Sequence, residues 1–474
     1  MPRKRSPDAA QVVHRTARCG LRATARQRRR LFGLLRSAGD VWCCVLEINA
    51  WRRRRQDPSL VGYQDLCREL ARAGPGTFGE LDTVGARSVL RRYSDAWFAA
   101  AKRRKAGDSA ARFPRRRRGL VAVRWYAGKF TLDGRVLRLP VARGCPPLVV
   151  GLDRDLPCPP AQIRSVTLLC EAGRLWVDVT AEVPVATYPE GEGPDPGRVA
   201  GVDLGVIHPY AAVAPDSQML MSGRAIRAEC RQHLREAKAR ARAAARRAPR
   251  PGRRASRRWR QHRRAQRAAE ARHRRRVRQA QHEAAKAVIG WALEHRVGTL
   301  AVGDPRGLLS LDAGRRHNQR LRSWRIGHLI RALADKAEVA GIAVKLVDER
   351  GTSSTCPTCT RRVPKPVGRV FSCPHCGQAG HRDLVAAANI AARAGGGIIP
   401  AAAQAGITHR RAGAHLPGVH PARRDPRRRP HRGPPHGPLA GTGPPRLPHT
   451  AGSGSRSRHR EEPGVHDNIL QQVH

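Results

Sequence analysis

The chain has 474 residues, with 91 Lys and Arg against 37 Asp and Glu and a formal net charge of +54. That field excludes an ordinary enzyme of small substrates and points to a polyanionic partner, of which nucleic acid is the commonest. No run of about 18 apolar residues exists to span a membrane, and the basic start M-P-R-K-R-S-P lacks an apolar stretch for secretion, so a cytoplasmic, nucleoid-associated protein is expected.

In chain order, residues 1–115 read mostly as helices, a helical recognition region that includes the start of a barrel domain. Apolar residues recur at helical spacing over Ala23–Asn49 (Leu31, Leu34, Leu35, Val41, Trp42, Val45, Leu46). The pattern continues over Leu60–Ala73 and Val84–Lys105, where Leu90, Tyr93, Trp97 and Phe98 read as one core-facing stripe rather than as base-stacking platforms. A basic loop follows, with Arg112, Arg115, Arg116, Arg117 and Arg118 as candidate phosphate contacts.

Over 116–190 the period changes to two. Arg124–Leu132 and Arg135–Pro140 read as one hairpin, and Ile163–Cys170 with Arg174–Val183 as another, turning at Glu171–Gly173. Together they predict a small β-barrel, ended by a Pro-, Gly- and Glu-rich linker at Tyr188–Gly197.

A second domain is expected over 198–350. V-A-G-V-D-L-G-V is a buried strand carrying Asp203, with P-Y-A-A-V as its hairpin partner. A long Arg- and Ala-rich stretch to about His295 breaks at Ala248–Gly252, which predicts a helical hairpin over 224–295. Acidic partners at i,i+4 are too few there to offset the repulsion, so the pair reads as lying on a phosphate backbone. Arg253, Arg254, Arg257, Arg258, Arg274, Arg275 and Arg276 are the candidate contacts. Thr299–Asp304 is a second buried strand, Arg320–Ala340 an amphipathic helix, and Ala343–Val347 a third strand running into Asp348 and Glu349. His282 reads as structural.

Residues 351–380 hold the most specific signal. C-P-T-C at Cys356–Cys359 and C-P-H-C at Cys373–Cys376 are two C-x2-C knuckles, which predict a zinc ribbon with Cys356, Cys359, Cys373 and Cys376 as the four thiolate ligands. Such a site is closed, so the zinc is structural and His375 is left exposed. The other eight of the 12 cysteines show no disulfide framework, as fits a reducing compartment. H-R-D-L-V-A-A-A-N-I then starts a helix over 381–396 that bears Asp383, with His381 read as structural or phosphate-facing. Residues 397–474 are rich in Pro, Arg, His and Gly and predict a disordered basic tail.

Strand with Asp, hairpin, helices, strand, helix, strand, helix with Asp is an RNase H-like α/β order. Two-metal phosphodiester cleavage needs carboxylates that converge from separate elements, and Asp203 within an apolar strand is costly without a cation.

The residues G-V-D-L-G at 201–205, the strand at 299–304, T-S-S-T-C-P-T-C at 352–359, F-S-C-P-H-C-G at 371–377 and H-R-D-L-V-A-A-A-N-I at 381–390 resemble the transposon-encoded TnpB/OrfB family, compact RNA-guided DNA nucleases related to type V CRISPR effectors. The resemblance covers most of the chain up to about residue 395. It implies a split RuvC-like nuclease with inserted zinc ribbon, a β-barrel with recognition helices, a guide RNA, double- and single-stranded DNA as target, and catalytic Mg²⁺. The family carries its second acid, a Glu, in the middle strand, where this chain has Gly303. Glu349 at the end of the third strand is the favoured replacement and Asp304 the other candidate. The remaining alternative is a nuclease-dead protein that only binds nucleic acid.

Overall fold

The computed structural model describes residues 11–74, 76–115, 119–310, 314–364, 368–397 and 406–416. It is a mixed α/β fold built on two sheets. The first chain segment is a strand, β1 (Val12–Arg22), followed by helices α1 (Ala25–Arg54), α2 (Tyr63–Ala73) and α3 (Thr83–Lys105). Strands β2 (Val123–Tyr126), β3 (Thr131–Asp133), β4 (Val136–Leu139), β5 (Leu148–Leu152), β6 (Ile163–Glu171) and β7 (Arg174–Pro184) complete a curled, half-barrel antiparallel sheet in the order β2-β6-β7-β1-β5-β4-β3.

Local chemistry sets these elements. Thr24 and Gln27 form a reciprocal capping box at the start of α1. Asp82 caps α3 through the amides of Val84 and Gly85 and also accepts the Trp125 indole at 2.7 Å, tying the helix start to β2. Leu31, Leu34, Leu35, Trp42, Leu90 and Tyr93 enter one core with Trp125, Leu137, Leu148 and Val177 from the sheet.

One strand of this half was not foreseen in its position, and two expectations need correction. β1 sits at the centre of the sheet, although its sequence alternates poorly; its polar residues are matched across to β7 through Arg18–Asp178 (2.6 Å) and Thr16–Thr180 (3.1 Å). The hairpin expected from 124–132 and 135–140 forms only at its turn end, where β3 pairs with β4; β2 pairs with β6 instead. Phe98 is not on the core stripe of Tyr93, because five residues of helix turn it about 140° away; Phe98 is 51% exposed whereas Tyr93 is 3% exposed, and the half-buried Trp97 packs on Phe98 and Phe113.

The second sheet comprises β8 (Asp195–Asp203), β9 (Tyr210–Val213), β10 (Gln218–Ser222), β11 (Val297–Gly303), β12 (Ala343–Val347) and β15 (Ile407–Arg411) in the order β12-β11-β8-β9-β10-β15. β8, β11 and β12 run parallel, so their carboxyl ends emerge together. Between β10 and β11 lie helices α4 (Arg224–Ala245) and α5 (Arg257–Glu294), the expected hairpin. The helix expected over Arg320–Ala340 is two, α6 (Arg315–Trp324) and α7 (Ile326–Val339), because Arg325 takes the left-handed conformation at φ 54°. The ribbon pair β13 (Val370–Ser372) and β14 (Ala379–His381) precedes α8 (Arg382–Arg393).

β15 corrects the expectation of a wholly structureless tail: Ile407–Arg411 pairs in parallel with Gln218–Ser222. Its side chains carry no strand pattern, and backbone pairing to an open sheet edge supplies the order. The rest of the tail beyond 416 lies outside the described residues.

Candidate metal centres

Glycine places the acids. A Cβ at Gly201 would stand 1.8 Å from the Ala387 carbonyl oxygen, so only glycine lets α8 lie directly on β8. Alternation along β8 then puts Asp203 on the same face as Gly201, towards α8, while Ala200 and Val202 pack into the core on the other side. Asp383, in the first turn of α8, is 5% exposed and meets this strand end. β11 registers Val302 against Val202, which brings Gly303 level with Asp203, and Gly303 also pairs with Val347 of β12.

Glu349 leaves β12 two residues later and turns back. Its Oε2 lies 2.9 Å from the position a Cβ at residue 303 would take, and Ile390 Cδ1 lies 2.8 Å from it. The Glu349 carboxyl thus reaches the space that a side chain on the middle strand would enter. That Oε2 is buried without a hydrogen-bond partner. The segment is fixed from α8: Asn389 donates to the carbonyls of Thr352 and Thr355 at 2.8 Å, and Arg393 donates to that of Arg350 at 2.7 Å.

Electrostatics separate the three acids. Burial pushes Asp203 well above the ordinary carboxylate range, and the charges of Asp383 and Glu349 push it further. Burial, with Asp304 and Asp348 nearby, raises Glu349 to about 7. Burial acts the same way on Asp383, but the His208 hydrogen bond and the Arg369 charge outweigh it and hold Asp383 below its ordinary value. His208 Nδ1 lies 2.9 Å from Asp383 Oδ2, and Arg369 donates to both carboxylate oxygens at 2.6 and 2.7 Å. His381 caps α8 by accepting the Asp383 amide at 3.3 Å, its ring edge-on to His208 with centroids 5.1 Å apart.

Asp304 stays apart. It follows the last residue of β11, and its carboxylate is taken by the Arg306 guanidinium at 2.8 and 3.0 Å from Nε, which lowers its pKa. Two partners escaped the sequence reading. His208 sits in the β8–β9 turn, held by the Gly205 amide donating to its carbonyl at 2.9 Å, and Arg369 stands four residues before Cys373. A histidine in the tight turn after an acid-bearing strand was the available signal for the first.

The four ribbon sulfurs converge within 4.8 Å of one another. Cys356 and Cys376 Sγ are 3.5 Å apart, and Cys359 and Cys373 Sγ are 3.6 Å apart. A tetrahedral zinc with bonds of about 2.3 Å needs sulfurs roughly 3.8 Å apart, so the four thiolates fit structural zinc. His375 is exposed beside Arg361, as expected. For a hard cation at the acids, the orphaned Glu349 oxygen and the crowded Asp203 offer suitable oxygen donors, whereas Asp383 already shares its charge with Arg369.

The candidate basic contacts divide. Arg112, Arg115, Arg253, Arg254, Arg257 and Arg258 are exposed. Arg274 pairs with Glu171 at 3.4 Å, Arg275 stacks on Trp176 at 5.1 Å and Arg276 pairs with Glu229 at 3.6 Å, so these three also dock α5 onto β6, β7 and α4. Arg116, Arg117 and Arg118 lie outside the described residues. No helix among the described residues is long and apolar enough to cross a membrane.

Fold and site define a mixed α/β protein in which Asp203, Glu349 and Asp383 lie near the carboxyl ends of parallel strands beside a four-cysteine ribbon; among the described residues, the ligand atoms there that come within 4.8 Å of one another are those of His208, His381 and Asp383. Residues 182–309 match the family model OrfB_IS605, a probable transposase, and residues 327–390 match the Cas12f1-like TNB domain. The resemblance to TnpB/OrfB proteins holds across these two segments. No curated protein matches the chain. Among solved structures, the cryo-EM structure of a Cas12f1–sgRNA–target DNA complex aligns at 12% identity and TM-score 0.56, covering 80% of this chain and 99% of that one; the shared feature is the fold. The mini-RNA-guided endonuclease CRISPR-Cas_phi3 aligns at 11% identity and TM-score 0.47, covering 81% of this chain and 92% of that one.

Proposed function

We propose that this protein is an RNA-guided, Mg²⁺-dependent DNA endonuclease of a transposable element, with an RNase H-like, RuvC-like centre. The observation that carries this reading is the Glu349 carboxyl, which stands where the family's middle-strand glutamate would project over Gly303. In this reading the carboxylate comes from the segment that follows the next strand rather than being lost.

Asp203, Glu349 and Asp383 would hold the magnesium. When bound, it would supply an activated water and charge neutralisation at the leaving oxygen. Arg369 keeps Asp383 ionised and brings a guanidinium to the same place, where a scissile phosphate would find a charge-assisted donor. The exposed arginines of the α4–α5 hairpin and of the loop at 112–115 would grip phosphates and position the nucleic acid, leaving sequence choice to base pairing. The proposed arrangement is a β-barrel with recognition helices ahead of a nuclease core interrupted by the ribbon.

The test uses protein purified with its own flanking locus, so that cognate RNA is retained. DNA matched to that RNA is incubated with Mg²⁺, with Asp203→Ala as the control. Cutting by wild type alone is expected. RNA-dependent binding without cutting by wild type would leave a guided binder in place of a nuclease.

A further inference from the structure

Aromatic residues on α3 divide into an inward set and an outward set. Tyr93 packs edge-on against Trp42 inside the core, with centroids 5.2 Å apart. One turn on, Trp97 stands between Phe98 and Phe113, at 5.2 and 5.3 Å. Phe98 is 51% and Phe113 41% exposed, and the half-buried Trp97 between them joins the two into one aromatic face. Scattered exposed aromatics need no account, but three packed together do.

The face is held rigidly. Arg104 donates to the Ala111 carbonyl at 2.8 Å, Arg103 pairs with Asp108, and the Trp42 indole donates to the Arg115 carbonyl at 3.0 Å. The loop bearing Phe113 is therefore pinned on both sides. Its surroundings are basic: Lys102 and Lys105 follow Phe98 by one and two turns on the same side, and Arg112 adjoins Phe113. From 97 to 115 the chain has six basic residues and one acid, Asp108, which Arg103 neutralises; Asp95, one turn back, is the next acid.

A fixed aromatic face with a cationic rim suits an unpaired nucleobase, whose flat face stacks on the rings while its phosphates meet the lysines and arginines. A hydrophobic protein partner would find the rim unfavourable, and a fully paired duplex would hide its base faces. We infer that Trp97, Phe98 and Phe113 form a stacking platform for unpaired bases of the bound RNA. The choice of RNA rests on the proposed function, in which RNA is the partner carried before any target arrives, so that the face is covered in the resting complex.

The test measures affinity of the full chain, freed of nucleic acid, for a 20-nucleotide single-stranded RNA across a salt series, with duplex RNA and single-stranded DNA of the same sequence as further arms. Phe98→Ala with Phe113→Ala should weaken the single-stranded RNA complex about tenfold at an unchanged salt slope. Phe98→Trp should retain affinity, and Lys102→Ala with Lys105→Ala should instead flatten the slope by roughly 1.4. Both phenylalanines are surface residues, and an unchanged melting temperature confirms an intact fold. Unchanged RNA affinity, an equal loss on duplex RNA, a loss confined to DNA, or a wild-type dimer that Phe98→Ala dissolves would each overturn the platform. None of these outcomes depends on DNA cleavage, so the platform and the nuclease reading fail separately.

Discussion

At the scale of single residues, the proposed centre rests on the neighbouring positions of Gly303 and Glu349. A side chain at 303 and the Glu349 carboxyl reach the same space: a Cβ at 303 comes within 2.9 Å of Glu349 Oε2 and 2.8 Å of Ile390 Cδ1, so one of these side-chain ends has to move aside. Glu349→Ala should therefore lower DNA cleavage at least about 10²-fold while RNA and DNA binding persist. Gly303→Glu alone should also lower cleavage, since it crowds two carboxylates against Ile390. Combined in one chain, Gly303→Glu with Glu349→Ala should recover part of the activity that either variant loses. Cleavage assays on the three proteins decide the point, and an active Glu349→Ala would remove Glu349 from the centre. Asp304, clamped by Arg306, should be replaceable by Asn with little effect on the same assay.

At the scale of elements, the decisive contact is α8 on β8. Gly201→Ala would drive a methyl group into the Ala387 carbonyl, and moving the helix would carry Asp383 away from Asp203. A loss of about 3 kcal/mol is expected by denaturant unfolding, together with loss of cleavage. The α5–α7 interface carries a pH dependence. His282 and His328 meet edge-on at 5.1 Å, and burial, reinforced by Arg278 and other nearby cations, lowers each to about 4. Both are neutral in the folded state, so their contribution is complete above an unfolded value near 6.5 and is lost as pH falls towards 4. Replacing both by Gln should flatten the acid limb of a melting-temperature profile over that window. Elements of this kind were legible where the chemistry is local: the helix hairpin broken at Pro249 and Pro251, the β6–β7 turn, and the paired knuckles. β1 and β15 were not, because their order comes from partners distant in sequence. The acids Asp203 and Asp383 could be read from their motifs, whereas His208 and Arg369 become partners only when α8, the β8–β9 turn and the ribbon are brought together.

At the scale of the whole molecule, the ribbon joins β12 to the helix that carries Asp383. Glu349 precedes its first knuckle, Asp383 follows its second, and Arg369 reaches from it onto Asp383. Asn389 returns from α8 to hold Thr352 and Thr355. A metal held by the four thiolates would add a second brace between two of the proposed acids, which sit on different elements. Zinc at these thiolates would contribute folding free energy directly to a piece too small to build its own core, here little more than Cys356, Val363, Phe371, Cys373 and Val385. Cys356→Ser or Cys373→Ser should release zinc, measured by metal analysis, and abolish cleavage even in excess Mg²⁺. The basic face is built on separate elements, with α4, α5 and the loop after α3 held by the two main cores, so RNA binding should fall no more than a few-fold at constant salt. Parallel loss of RNA binding and cleavage would mean that the ribbon supports the whole fold rather than the acid geometry. Cleavage that survives the removal of zinc would separate the ribbon from the centre altogether.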